Sequence, residues 1–178
     1  MDNSSSAFIN SNLSKLGYTS KKDIIENLFI KSLIESYGRI NKAIGIENEI
    51  RDRFRDDLYF HPLSLLKKWL DFNVLYLEWE NWHFGADKSL GRTDLVFKLS
   101  GMKFIVECKR LKNPHNAYVT EGLNRFISLK YAKEDEFGVM VGFIVAGDQF
   151  TITSKLRTKI SRLSHTNRLS EISAVPSF

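Results

Sequence analysis

The sequence predicts an α/β domain in which helices flank a central, mixed four-stranded sheet, with additional helices at both ends. Two short runs rich in Val, Ile, Leu and Phe, Thr93–Leu99 and Met102–Cys108, are separated only by Ser100-Gly101, a pattern typical of a tight antiparallel hairpin. Segments with apolar residues at helical spacing precede and follow that hairpin. A chain of 178 residues, 43% of them hydrophobic, is long enough to bury one core.

Composition narrows the classes of function. We expect one domain over residues 21–178, after a partly ordered Ser- and Asn-rich tail at 1–20. A single cysteine, Cys108, excludes an internal disulfide and a cysteine-based zinc site, and favours a reducing compartment such as the cytoplasm. No apolar run approaches the ~20 residues of a membrane span, and we expect no secretory signal. The net charge of +5 is compatible with a polyanionic partner.

Three helices are predicted before the first strand. Ser20 is a candidate N-cap for a helix over Lys21–Tyr37. A second helix, about Ile40–Leu58, carries one apolar stripe, and a short third helix covers Leu63–Leu70.

The second helix carries a carboxylate inside its apolar stripe. At 100° per residue Glu47 falls in the middle of the stripe, whereas Glu49 falls outside it and is predicted to be solvated. A carboxylate on the core-facing side must be paired, protonated or bound to a metal.

The remaining elements alternate between strands and helices. Val74–Trp82 is predicted as the first strand, and a helix over Ala117–Lys133 follows the hairpin. Gly138–Ala146 is almost wholly apolar, as expected of a central strand covered on both faces. A basic amphipathic helix, Thr153–Leu169, comes next. The core of the domain therefore spans about residues 40–146.

The hairpin pattern brings three charged residues onto one face. If Leu99 faces Met102, Asp94 lies directly opposite Glu107. Because side chains alternate along strands, Asp94, Glu107 and Lys109 then project from the same face. The other face carries apolar residues and is the predicted core surface: Leu95, Phe97, Leu99, Met102, Phe104, Val106 and Cys108.

Two carboxylates opposite each other in a sheet destabilise it unless something compensates their charge. A divalent cation between Asp94 and Glu107 would do so, and carboxylate oxygens suit Mg²⁺ or Mn²⁺. The Lys109 ammonium can reach the same volume and could orient a water or offset negative charge. A salt-bridged trio on the protein surface is the alternative.

These residues resemble the core motif of the PD-(D/E)XK, or restriction-endonuclease-like, nuclease superfamily. Asp94 is followed at the family's usual spacing by Glu107-x-Lys109, although Thr93 stands where the motif has Pro. The predicted order of helix, three strands, helix and strand over about Ile40–Ala146 is similar to the αβββαβ core of that superfamily.

The resemblance implies a Mg²⁺-dependent endonuclease, with Mn²⁺ able to substitute, that hydrolyses phosphodiester bonds, with DNA favoured over RNA as the substrate. Asp94 and Glu107 would bind the metal together with the backbone carbonyl of Cys108, and Lys109 would orient the attacking water or stabilise negative charge. Members of the superfamily often place a Glu of the first core helix near the metal, and Glu47 matches it by phase. An ion pair at the helix edge explains Glu47 equally well.

Further candidates surround the motif. Glu121 lies on the helix after the motif, where the superfamily often points a polar residue at the site, but an ion pair with Arg125 one turn on explains it equally well. Basic residues beside the motif and on the C-terminal helix are candidates for phosphate contacts or for a merely solvated surface: Arg92, Arg110, Lys112, His115, Lys155, Arg157 and Lys159.

The resemblance also implies partners and a setting. A small nuclease of this kind gains specificity from a homodimer or from a partner subunit, in restriction or defence against foreign DNA. The alternatives are a catalytically inactive nucleic-acid-binding or scaffold subunit with the same fold, and a metal-independent module that binds an acidic protein through the basic C-terminal helix.

Overall fold

In a computed structural model of the chain, the described residues are 9, 11–84, 90–112, 118–123, 126 and 137–163, and of residues 81–84, 90–92, 120 and 121 only the backbone is described. Helix α1 runs without a break through the segments Lys21–Ile24, Ile25–Ile30 and Lys31–Arg39. The remaining elements are α2 (Glu47–Phe60), α3 (Lys67–Asp71), β1 (Leu75–Phe84), β2 (Leu90–Leu99), β3 (Met102–Leu111), α4 (Tyr118–Leu123), β4 (Gly138–Ile144) and α5 (Gln149–Ser161).

The sheet confirms the predicted α/β class. The four described strands lie in the order β1-β2-β3-β4, with β1–β2 and β2–β3 antiparallel and β3–β4 parallel, so the sheet is mixed. Among these strands β4 lies at an edge, and the predicted central position was wrong. The strand is nevertheless covered on both faces, as its apolar composition predicted, because Phe143 packs on helices of one face and Gly142 lies against Tyr118 of α4 on the other.

The β2–β3 hairpin has the predicted register. Leu99 pairs with Met102 and Val96 with Ile105. Ser100 and Gly101 both adopt positive φ, 49° and 83°, as a two-residue turn that follows the right-handed twist of the strands requires. The turn thereby fixes which side chains face the core.

Helix α1 confirms the first predicted helix, but α2 begins at Glu47 rather than at Ile40. Gly45 has a φ of +109°, which is incompatible with a helix through this point. The Glu49 side chain is exposed, as predicted, and it also accepts a hydrogen bond from the Ile46 N–H at 3.2 Å, which caps the start of α2. Glu47 is consequently the first residue of α2.

The third helix is also shorter than predicted. It occupies Lys67–Asp71 instead of Leu63–Leu70. The Ser64 hydroxyl donates to the Leu58 carbonyl and accepts from the Leu66 N–H, which holds the preceding residues in a turn.

The core lies between the sheet and α1–α2. All seven apolar hairpin residues predicted to face the core are buried. Phe29 of α1 stacks on Phe97 and Phe104 with ring centroids 4.9 and 5.5 Å apart. Residues 11–15 are helical, and Leu13 is buried in the same core, so part of the predicted tail packs on the domain.

The opposite face of the sheet is described in part. Of the predicted helix 117–133, the structure describes α4 and Phe126, and the remainder lies outside the described residues. Helix α5 begins four residues before the predicted Thr153, because the Asp148 carboxylate accepts from the Thr151 N–H and caps it. Residues 164–169 of that prediction lie outside the described part.

No helix in the described residues is long and apolar enough to cross a bilayer.

Candidate functional site

The open end of the β2–β3 hairpin, opposite the Ser100-Gly101 turn, is where the charged residues meet. The described pairing of β2 with β3 ends at Leu95–Val106. Beyond it, the Asp94 side chain accepts the Cys108 N–H at 2.7 Å, and the Glu47 side chain accepts the Arg110 N–H at 2.8 Å. The two carboxylates therefore satisfy backbone donors of β3, and those bonds fix their positions.

Lys109 joins the carboxylates on this face. Its Nζ lies 3.0 Å from Glu107 Oε1 and 3.5 Å from Glu47 Oε1. Burial by itself lowers the pKa of Lys109, but the charges of Glu107, Glu47 and Asp94 outweigh burial and raise the pKa above 10.5. The ammonium is therefore charged at neutral pH.

Cys108 contributes its backbone and not its thiol. The side chain is fully buried on the core face. Burial raises the pKa of the Cys108 thiol well above its usual value, and the nearby Asp94 and Glu107 raise it further. A thiolate nucleophile at this position is therefore disfavoured.

Sequence reasoning missed Arg51. In the part of the chain that the structure describes, Arg51 and Glu107 are the two charged residues that are buried, with 4% and 2% of their surface exposed. Arg51 Nη1 lies 3.2 Å from Asp94 Oδ1, and Nη2 lies 3.0 Å from Glu80 Oε1 and 3.1 Å from Asp52 Oδ1.

The sequence does contain a pattern that places Arg51 near the site. Glu47 and Arg51 are four residues apart, and such residues share one face of a helix. Once Glu47 is a site candidate, Arg51 is its neighbour one turn on. Burial alone lowers the pKa of Arg51, but Asp94 and Asp52 outweigh burial and raise it, so the guanidinium carries a full charge inside the protein.

Glu80 has an unusual backbone conformation. Its φ is +52°, in the left-handed region that non-glycine residues rarely adopt inside a strand. Holding such a residue costs of order 1–3 kcal/mol. Glu78, two residues earlier, has its carboxylate 2.6 Å from Lys98 Nζ. The two glutamates therefore pair with different basic side chains, Glu80 with Arg51 and Glu78 with Lys98.

Three groups of the site could serve as ligands of a divalent cation of the Mg²⁺ type. Asp94, Glu107 and the Cys108 carbonyl offer hard oxygen donors on adjacent strands. Carboxylates outnumber cations among the charged groups described here. In the described residues no three His, Cys, Asp or Glu side chains lie close enough together to hold a metal, so a cation here needs the carbonyl and water as further ligands, which Mg²⁺ commonly keeps.

No described side-chain contact links the other predicted site residues to the carboxylates. Arg110 follows Lys109, and its buried Nε makes no hydrogen bond within the described structure. Lys112 is exposed just beyond β3. No described contact joins the basic residues of α5 to the carboxylates. Three predicted contributors have side chains outside the described residues, namely Arg92, His115 and Glu121.

Comparison with known proteins adds no assignment: no protein-family model matches the chain, and no curated protein sequence matches it.

Proposed function

We propose that the protein is a metal-dependent endonuclease of the PD-(D/E)XK, restriction-endonuclease-like type that hydrolyses phosphodiester bonds of DNA. The observation that carries this proposal is the convergence of Lys109 with Glu107 and Glu47 beside Asp94, where β2 and β3 stop pairing. The mixed sheet, with the two acids on its second and third strands, supports the same proposal.

The metal-binding part of the proposal assigns Asp94, Glu107 and the Cys108 carbonyl to Mg²⁺, or to Mn²⁺ in its place. Bound there, the cation would lower the pKa of a water and offset charge on the phosphorane-like transition state. The backbone N–H of Cys108 fixes the orientation of Asp94 for this role. Glu47 contributes by holding Lys109 and the backbone of Arg110.

Lys109 would act as a hydrogen-bond donor. Since the surrounding carboxylates raise its pKa, its ammonium keeps its protons at neutral pH. It can orient the attacking water or donate to a phosphoryl oxygen as negative charge develops there. It is not a general base, so the water's proton must pass to another acceptor.

The basic residues would bind the DNA backbone. Arg110 and Lys112 follow Lys109 along the chain at the end of β3. The α5 residues Lys155, Arg157 and Lys159 would extend this contact. Specificity would come from a homodimer or a partner subunit, in restriction or defence against foreign DNA. Gel filtration with light scattering that finds only a monomer would contradict the homodimer.

The test is cleavage of plasmid and single-stranded DNA in Mg²⁺, Mn²⁺ or EDTA by wild type, Asp94→Ala and Asp56→Ala. Asp56 is a matched control, an exposed α2 aspartate paired with Arg55. We expect metal-dependent cleavage that Asp94→Ala loses and Asp56→Ala keeps. Equal cleavage by all three proteins would contradict the proposal.

The second candidate is a catalytically inactive nucleic-acid-binding subunit with the same fold. The observation that favours it is that Arg51 and the Cys108 N–H already occupy both oxygens of Asp94. Charge reversal at Lys155, Arg157 and Lys159 separates the candidates. It should weaken nucleic-acid binding in both cases, but only a nuclease would retain metal-dependent cleavage of a short substrate.

A further inference from the structure

The guanidinium of Arg51 contacts Asp94 through one nitrogen and other carboxylates through its remaining two. Nη1 binds Asp94 Oδ1 at 3.2 Å. Nη2 and Nε lie on the other side, where they contact Glu80 at 3.0 Å and Asp52 at 3.1 and 3.4 Å. The contact with Asp94 can therefore break while the guanidinium stays anchored.

A cation at Asp94 would meet this guanidinium. Oδ2 of Asp94 already accepts the Cys108 N–H, and Oδ1 faces Arg51. Two positive groups on one carboxylate repel each other, and the repulsion is strong where water is excluded. Arg51 is nearly wholly buried, so its charge is poorly screened here.

We infer that Arg51 is an internal counter-ion that competes with the divalent cation for Asp94, and that Glu80 and Asp52 retain its guanidinium when the cation binds. The inference rests on the proposed function, because it requires a cation at Asp94. Arg51 is on this account a positioning residue that weakens metal binding and holds the metal-free site together.

The conformation of Glu80 supports this division of roles. The other described non-glycine residues with positive φ, Asn73 and Ser100, lie in turns, whereas Glu80 lies within β1. By the β1–β2 register Glu80 stands opposite Asp94, between the pairs Trp79–Leu95 and Asn81–Thr93. The strained backbone thus holds a second acceptor for Arg51 next to the first.

The experiment is calorimetric titration of the purified full-length protein with Mn²⁺ alone. We expect Arg51→Met to bind Mn²⁺ at least about tenfold more tightly than wild type, since it removes the competing charge. Arg51→Lys restores the charge and should return the affinity towards that of wild type. Arg55→Met is the control, because Arg55 lies one turn along α2 and contacts Asp52 and Asp56 but not Asp94 in the described structure.

A second pair of variants decides the matter if Arg51→Met fails to fold. Glu80→Gln weakens the alternative anchor of the guanidinium and should lower Mn²⁺ affinity several-fold. Glu78→Gln removes a similarly exposed carboxylate of the same strand that binds Lys98, and should leave the affinity unchanged. Equal effects of the two substitutions would overturn the role of Glu80.

The outcomes separate this inference from the proposed function. Unchanged or weaker Mn²⁺ binding by a folded Arg51→Met, with wild-type binding that Asp94→Ala abolishes, would overturn the inference and leave the proposed site standing. Absence of Mn²⁺ binding in wild type and in Arg51→Met alike would overturn both.

Discussion

The two ends of the β2–β3 hairpin are stabilised by different interactions. At the turn end, strand pairing continues to Leu99–Met102, and aromatic rings of the core cover one face. At the open end, the described pairing stops at Leu95–Val106, and the side chains of Asp94 and Glu47 accept the next backbone donors of β3. At the open end β3 thus loses β2 as a pairing partner in the described structure but keeps β4, with which it pairs as far as Leu111–Ile144.

The difference shows how the fold maintains closely spaced charges. At the open end each carboxylate has a donor from the backbone or from Arg51 or Lys109. The turn end supplies the stability and register that keep those donors in place. We therefore expect substitutions at the turn end to change stability and substitutions at the open end to change chemistry.

The largest expected effect on stability is at the turn end. Phe104→Ala removes a buried ring that stacks on Phe29 and Phe97, and should lower the free energy of unfolding by about 3–5 kcal/mol. Urea unfolding measures it, with the exposed neighbour Lys103→Ala expected within about 0.5 kcal/mol of wild type. Loss of cleavage by the folded fraction of Phe104→Ala would contradict the separation of stability at the turn end from chemistry at the open end.

At the open end, the proposed function predicts that Lys109→Ala abolishes cleavage or slows it by at least about 100–1,000-fold, because the substitution removes the donor proposed to stabilise developing charge. Nucleic-acid binding, measured by fluorescence anisotropy in EDTA, should remain. Lys103→Ala, on the same strand, is the control. Full cleavage by Lys109→Ala would contradict the proposed role of Lys109 as a hydrogen-bond donor in the reaction.

A smaller effect is expected in the turn itself. Gly101→Ala places a side chain at a φ of +83°, and should cost about 1 kcal/mol of unfolding free energy. Ser100→Gly relieves the same conformation at its neighbour and should be neutral or stabilising. A stability loss in Ser100→Gly matching that of Gly101→Ala would contradict the turn geometry.

The smallest effect is a pH dependence at the open end. The folded state raises the pKa of Lys109, so its ion pairs contribute stability that is complete below the ordinary value of 10.5 and is lost as the pH rises through the folded pKa. The stability difference between wild type and Lys109→Met should be constant from pH 7 to about 10 and shrink above that. A difference that stays constant through pH 12 would contradict this assignment.

Local pattern was sufficient to predict the hairpin. Alternation of apolar residues on both sides of Ser100-Gly101 specifies the register and the core face, and both were confirmed. Placing Lys109 beside Glu107 needed only that register and the period of a strand. These features depend on residues close in sequence.

Features that depend on distant residues were not predicted. The start of α2 is set by the φ of Gly45 and the cap from Glu49, which apolar periodicity does not reveal. The edge position of β4 follows from which strand it pairs with. Burial of Arg51 depends on Glu80 and Asp94, 29 and 43 residues further along the chain, so only the one-turn spacing from Glu47 hinted at it.

The most direct test of the account uses Glu107→Gln, which keeps the size of a buried side chain and removes its charge. Cleavage of a plasmid in Mg²⁺ is measured for this variant, for wild type and for Glu78→Gln, with folding checked by circular dichroism. We predict that Glu107→Gln is folded and loses metal-dependent cleavage while Glu78→Gln cleaves like wild type. A folded Glu107→Gln that cleaves at the wild-type rate would contradict the assignment of the open end as a nuclease site.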